Sequence, residues 1–87
     1  MPRYFFDVED GDRTVDEVGM ELEGARAAAI QAMKTLLDVG RFEVVIKNER
    51  RLTVIVRDES GKPVYRSEMA IEADWLSDDG QPQMPAA

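Results

Sequence analysis

Residues 23–39 read EGARAAAIQAMKTLLDV, and the spacing of their apolar positions decides the fold. Leu22, Ala25, Ala29, Met33, Leu36 and Leu37 recur at the intervals that line one face of a helix. Glu23, Ala27, Gln31, Lys34 and Asp38 fall opposite. Alanine has the best intrinsic helix propensity, and Glu21 and Glu23 complement the positive end of the helix dipole. Gly40 follows Val39, where a left-handed glycine cap is expected to end the helix. Met33, Leu36 and Leu37 are expected in the core. Small alanines allow a sheet to approach closely.

The flanking segments read as strands. Residues 3–8, RYFFDV, are aromatic and β-prone, with Tyr4, Phe6 and Val8 on one face and Arg3, Phe5 and Asp7 on the other. Asp10-Gly11 is a hairpin signal, and 14–18 is expected to return beside the first strand. Residues 42–47, FEVVIK, have strand propensity, an extended linker being the alternative. Residues 51–58 direct Leu52, Val54 and Val56 inward, with Thr53, Ile55 and Arg57 outward. Glu59-Ser60-Gly61 reads as a hairpin loop needing positive φ at glycine. Residues 63–73 alternate, with Tyr65, Ser67 and Met69 on one face and Val64, Arg66, Glu68 and Ala70 on the other. The order is β-β-α-(β)-β-β: an α+β domain over residues 1–76, one helix packed on one face of a small antiparallel sheet. The polar residues 77–87, SDDGQPQMPAA, read as a disordered tail.

Composition narrows the function. A chain of 87 residues is one domain by default, with a thin core that association with a second copy would supplement. A net charge of −7 opposes general affinity for nucleic-acid backbones. Cysteine and histidine are both absent, which removes disulfides, thiolate chemistry, the commonest general base and the commonest metal ligands. No apolar run reaches the ~20 residues of a membrane span, and the N-terminus lacks the apolar core of a secretory signal. A cytoplasmic protein is expected.

MPRYFFDV, the Asp10-Gly11 turn, the segment Asp16 to Leu22 (DEVGMEL) and the hairpin Arg57 to Pro63 (RDESGKP) together resemble the small bacterial DUF6894 family, a domain of unknown function. The resemblance covers nearly the whole of residues 1–76. It implies neither catalytic residues nor a cofactor. The aromatic strand, acidic turn and D-x-x-G segment before a helix are also similar to HicB-type antitoxins, at the level of fold alone.

Chemistry-bearing residues are sparse. Asp7, Glu9, Asp10, Asp12, Asp16 and Glu17 cluster around the first turn. Val8 stands where a calcium loop requires an acidic ligand, so a solvated acidic turn is expected. Ser60, Ser67 and Ser77 have no histidine partner for triad chemistry. Lys47, Arg50, Arg51, Arg57 and Arg66 form a basic cluster diluted by Glu43, Glu49, Glu68 and Glu72. These features predict a protein that is not an enzyme and needs no metal or cofactor. Its sheet face away from the helix, bearing Phe5, Val45, Ile55, Arg57 and Arg66, or the edge of its long last strand, is the expected contact surface. A homodimer is the expected assembly, with a further protein partner of unknown identity. The alternative is a nucleic-acid-binding or antitoxin-like regulator of HicB-like fold.

Overall fold

The computed structural model describes residues 1–47 and 50–80. It contains β1 (Arg3–Glu9), β2 (Arg13–Thr14), β3 (Met20–Glu21), α1 (Ala25–Lys47), β4 (Arg51–Arg57) and β5 (Pro63–Ala70), followed by a 3-10 turn, Asp78–Gly80. The sheet is antiparallel in the order β2-β1-β4-β5, and β3 pairs with β1 as well. One helix against one antiparallel sheet is the α+β arrangement that the periodicities predict.

The core is a short apolar stack. Leu52, Val54 and Val56 on β4 are fully buried, with Tyr4 of β1 beside them. α1 packs evenly over β4 and β5 and presents Ala28, Ala32 and Leu36, all buried. Phe6, Val8, Leu22, Val44 and Met69 pack around this stack. The β4–β5 hairpin closes through Gly61 at φ 86°, while Asp58 Oδ1 accepts hydrogen bonds from the Ser60 and Lys62 amides. The loop glycine is the one the sequence singles out.

Two features of the helix depart from expectation. First, α1 runs through Gly40 to Lys47, so residues 42–47 are helical, neither strand nor linker. Gly40 is a contact point: a Cβ there would collide with the Met69 methyl and lie 3.2 Å from Leu52 Cδ1. With no side chain at that position, the Leu52 and Met69 side chains of β4 and β5 rest directly against the helix backbone. The helix then continues to lay Val44 on the core, and tertiary packing overrides the strand propensity of FEVVIK. Second, the buried line is Ala28, Ala32, Leu36 and Gly40, while Ala25, Met33 and Leu37 are exposed. The smallest side chains permit the closest approach, and they turn the larger residues of the anticipated stripe to its flank. Residues 81–87 of the anticipated tail lie outside the described residues; ahead of them, the Trp75 ring rests against Gly80.

Candidate interaction surface

The sheet face away from α1 divides into two halves. On the β1 half, residues 13–21 follow the outer edge of β1 as an interrupted strand. Val8 and Glu9 pair with Thr14 and Arg13, and Arg3 and Tyr4 pair with Glu21 and Met20. Between these pairings residues 15–19 leave the edge, and the Asp16 side chain replaces the missing strand by accepting the Phe6 amide at 3.1 Å. Asp16 Oδ1 also accepts the Val18 and Gly19 amides at 3.0 and 3.1 Å. Gly19 has φ 75°, and a Cβ there would lie 2.9 Å from Phe5 Cε1, Arg3 Cγ and the Tyr4 carbonyl. This glycine lets the segment close down on Phe5.

Asp7 anchors the same arrangement. Its carboxylate is fully buried and accepts Arg57 Nε at 2.7 Å, Arg57 Nη2 at 3.1 Å, Arg13 Nη2 at 3.1 Å and the Asp16 amide at 3.0 Å. Arg57 reaches further to the Asp16 carbonyl and stacks its guanidinium 5.1 Å from the Phe5 ring centre. Burial by itself raises the Asp7 pKa, but the hydrogen bonds from Arg57, Asp16 and Arg13 prevail and hold it below 3.8. Asp16 behaves alike: burial and the neighbouring Asp7 charge raise its pKa, the three backbone donors lower it, and the net direction is down. The Arg57 pKa is raised, chiefly by its hydrogen bonds to Asp7. The acidic turn is therefore not simply solvated; two of its carboxylates are the fasteners of a folded edge.

The β4–β5 half has a different character. Thr53 and Ile55 lie between Glu9 and Asp7 on one side and Glu68 and Arg66 on the other. Arg51 and Arg66 both pair with Glu68, the latter at 2.5 Å. These bonds hold the Glu68 pKa down, with Arg51 the leading cause.

β5 pairs only with β4 among the described strands, so its other hydrogen-bonding edge is open along eight residues. On the helix side of that edge lies an open groove of about 440 Å³, lined by Met33, Leu36, Leu37, Ser67, Glu68 and Met69. Met33 and Leu37 are 46% and 62% exposed. The Ser67 hydroxyl is buried and lacks a hydrogen-bond partner among the described residues. An unpaired strand edge beside apolar side chains can add a strand by backbone hydrogen bonds.

The structure places Phe5, Ile55, Arg57 and Arg66 on one sheet face, as their alternation implies. Phe5 and Arg57 are engaged by the 15–19 segment, whereas Arg66 stands on β5 beside the open edge. Val45 is not on that face: it belongs to α1 and is 81% exposed. Of the basic cluster, Arg51, Arg57 and Arg66 are tied to carboxylates, and Arg50 donates to the Ala73 carbonyl. The groove went unread because Met33 and Leu37 sit on the anticipated core stripe and Tyr65, Ser67 and Met69 alternate as a core face. The edge of the last strand is one of the two contact surfaces expected from the sequence, but only the strand order leaves it unpaired beside Met33 and Leu37.

No helix among the described residues is long and apolar enough to cross a membrane. Residues 3–70 match the family described as Domain of unknown function (DUF6894). No curated protein and no solved structure matches the chain.

Proposed function

The chain belongs to the DUF6894 family, and we propose that it is a non-enzymatic protein-interaction domain that self-associates through its sheet. The open edge of β5 with its apolar groove carries this reading. The edge contrasts with the opposite margin of the sheet, where β2, β3 and the Asp16 carboxylate occupy the outer side of β1. Among the described residues, one margin is closed by the chain itself and the other is left open.

The polar chemistry supports the non-enzymatic part. Asp7, Asp16 and Asp58 are the buried or half-buried carboxylates with shifted pKa values among the described residues, and all three shifts run downward. A general acid working near neutral pH needs the reverse shift. Their oxygens are taken up by backbone amides and arginines.

Sedimentation equilibrium at low micromolar concentration tests the reading. The expected mass is twice 9.8 kDa. Leu37→Asp, which charges an exposed groove residue, should return the monomer without lowering the helix content seen by circular dichroism. A wild-type chain that stays monomeric throughout the micromolar range refutes it.

A further inference from the structure

Resting on that reading of the open edge, we infer that β5 pairs antiparallel with β5 of a second copy about a two-fold axis through Ser67. Closed two-fold symmetry requires a residue of the strand to lie opposite its own copy. The choice of that residue fixes every other pair. An axis at Ser67 sets Arg66 against Glu68 in both directions, Tyr65 against Met69, and Val64 against Ala70. Axes at Arg66 or Glu68 place like charges directly opposite, which destabilises cross-strand pairs. Axes at Tyr65 or Met69 leave much of the Pro63–Ala70 strand unpaired. Ser67 alone combines opposed charges with nearly full overlap.

Two further observations converge on this axis. α1 lies over the seam between β4 and β5. With strands about 4.8 Å apart, its axis is about 5 Å from the new joint, and its symmetry mate is about 10 Å away. Helices pack side by side at about that distance. The exposed Met33 and Leu37 of both copies then meet above the joint. At the axis itself Ser67 lies opposite its own copy, and its hydroxyl, buried and without a partner among the described residues, can turn about χ1 so that one donates to the other.

The register is tested by charge exchange. Arg66→Glu alone sets carboxylate against carboxylate at both symmetry-related pairs. Glu68→Arg alone sets guanidinium against guanidinium at the same two places. Each variant should self-associate about tenfold more weakly than wild type. In a mixed dimer the chain carrying Arg66→Glu presents two carboxylates and the chain carrying Glu68→Arg two guanidiniums, so both cross-strand pairs become opposite in sign and an equimolar mixture should associate about as tightly as wild type. The double variant, Arg66→Glu with Glu68→Arg, likewise restores opposite signs at both pairs of its own dimer. The double variant should therefore recover wild-type affinity, although each single change weakens it. Single variants that merely misfold would not be rescued by mixing, which leaves the Arg66–Glu68 pair within each chain broken. Independently, Ser67→Cys introduces the only thiol of the chain and should cross-link to itself under mild oxidation, whereas Arg66→Cys should not. A dimer without Ser67→Cys cross-linking, or a double variant no tighter than the single ones, overturns the register and leaves self-association standing. A wild-type monomer removes both.

Discussion

Asp7→Asn should cost this domain a large fraction of its stability. The change is nearly isosteric but removes the charge, and it turns an amide nitrogen toward two guanidinium groups that are themselves donors. Three arginine hydrogen bonds at 2.7–3.1 Å are affected, around a carboxylate with no solvent exposure. Removing one partner of a buried ion pair costs about 3–5 kcal/mol. The lower end applies, because the Arg13 and Arg57 side chains are 53% and 21% exposed and can recover some water. A loss of about 3 kcal/mol is substantial for a chain of this length, whose total stability is about 4–13 kcal/mol. In urea, with a slope of about 1 kcal/mol per molar, the midpoint should fall by roughly 2–3 M at neutral pH. Protein concentration must be held fixed, because dimerisation itself adds stability. The effect has a defined pH dependence. The folded Asp7 pKa lies below its ordinary 3.8, so its stabilisation is present above that value and lost as pH falls through the folded value. The gap between wild type and Asp7→Asn should therefore close on acidification. A neutral-pH loss below about 1 kcal/mol, or losses for Asp7→Asn and Arg57→Met that simply add in the double variant, refutes the anchoring role.

Two glycine substitutions probe close approach. Gly19→Ala, at φ 75° with three atoms 2.9 Å from the added methyl, should destabilise by about 1–3 kcal/mol in thermal melts and loosen the 15–19 segment to hydrogen exchange. Gly40→Leu should destabilise by at least about 1–3 kcal/mol through overpacking against Leu52 and Met69. Gly40→Ala should stay within about 1 kcal/mol of wild type, since alanine's helix propensity offsets displacement of the flexible Met69 terminus.

β1, β4, β5 and the hairpin glycine at 61 are legible because alternation and turn chemistry are local signals, whereas the strand propensity of residues 42–47 gives way to the helix. β4 is the clearest case: Leu52, Val54 and Val56 are the buried set that its period of two selects. The helix was legible in kind but not in extent or phase. Gly40 is identical in sequence whether it caps a helix or admits neighbouring side chains, and only the positions of Leu52 and Met69 distinguish the two. The Asp7 fastening was hidden because its strongest partner, Arg57, is fifty residues away in sequence. Strand pairing brings β1 and β4 together with Phe5 opposite Arg57 and Asp7 opposite Ile55, so that Asp7 and Arg57 become diagonal neighbours.

The two margins of the sheet solve one problem by opposite means. A strand edge exposes backbone donors and acceptors that must be hydrated, capped or paired. At β1 the chain caps its own edge with two short strands and a carboxylate, fixed by Asp7 and Arg57. At β5 the charges near the edge are a self-complementary Arg66–Glu68 couple, and Met33 and Leu37 stand beside it. Repulsive gatekeeping calls for charges of one sign; an Arg and a Glu placed symmetrically about Ser67 instead match their own reversal. The two regions should therefore respond independently. Asp7→Asn should lower the stability of each folded chain while leaving the charge-reversal rescue at Arg66 and Glu68 intact, because its contacts lie on β1, β4 and the 13–16 segment and none lies on β5. If Asp7→Asn abolishes the rescue at temperatures where the chain is still folded, the two margins are coupled and this division of labour is wrong.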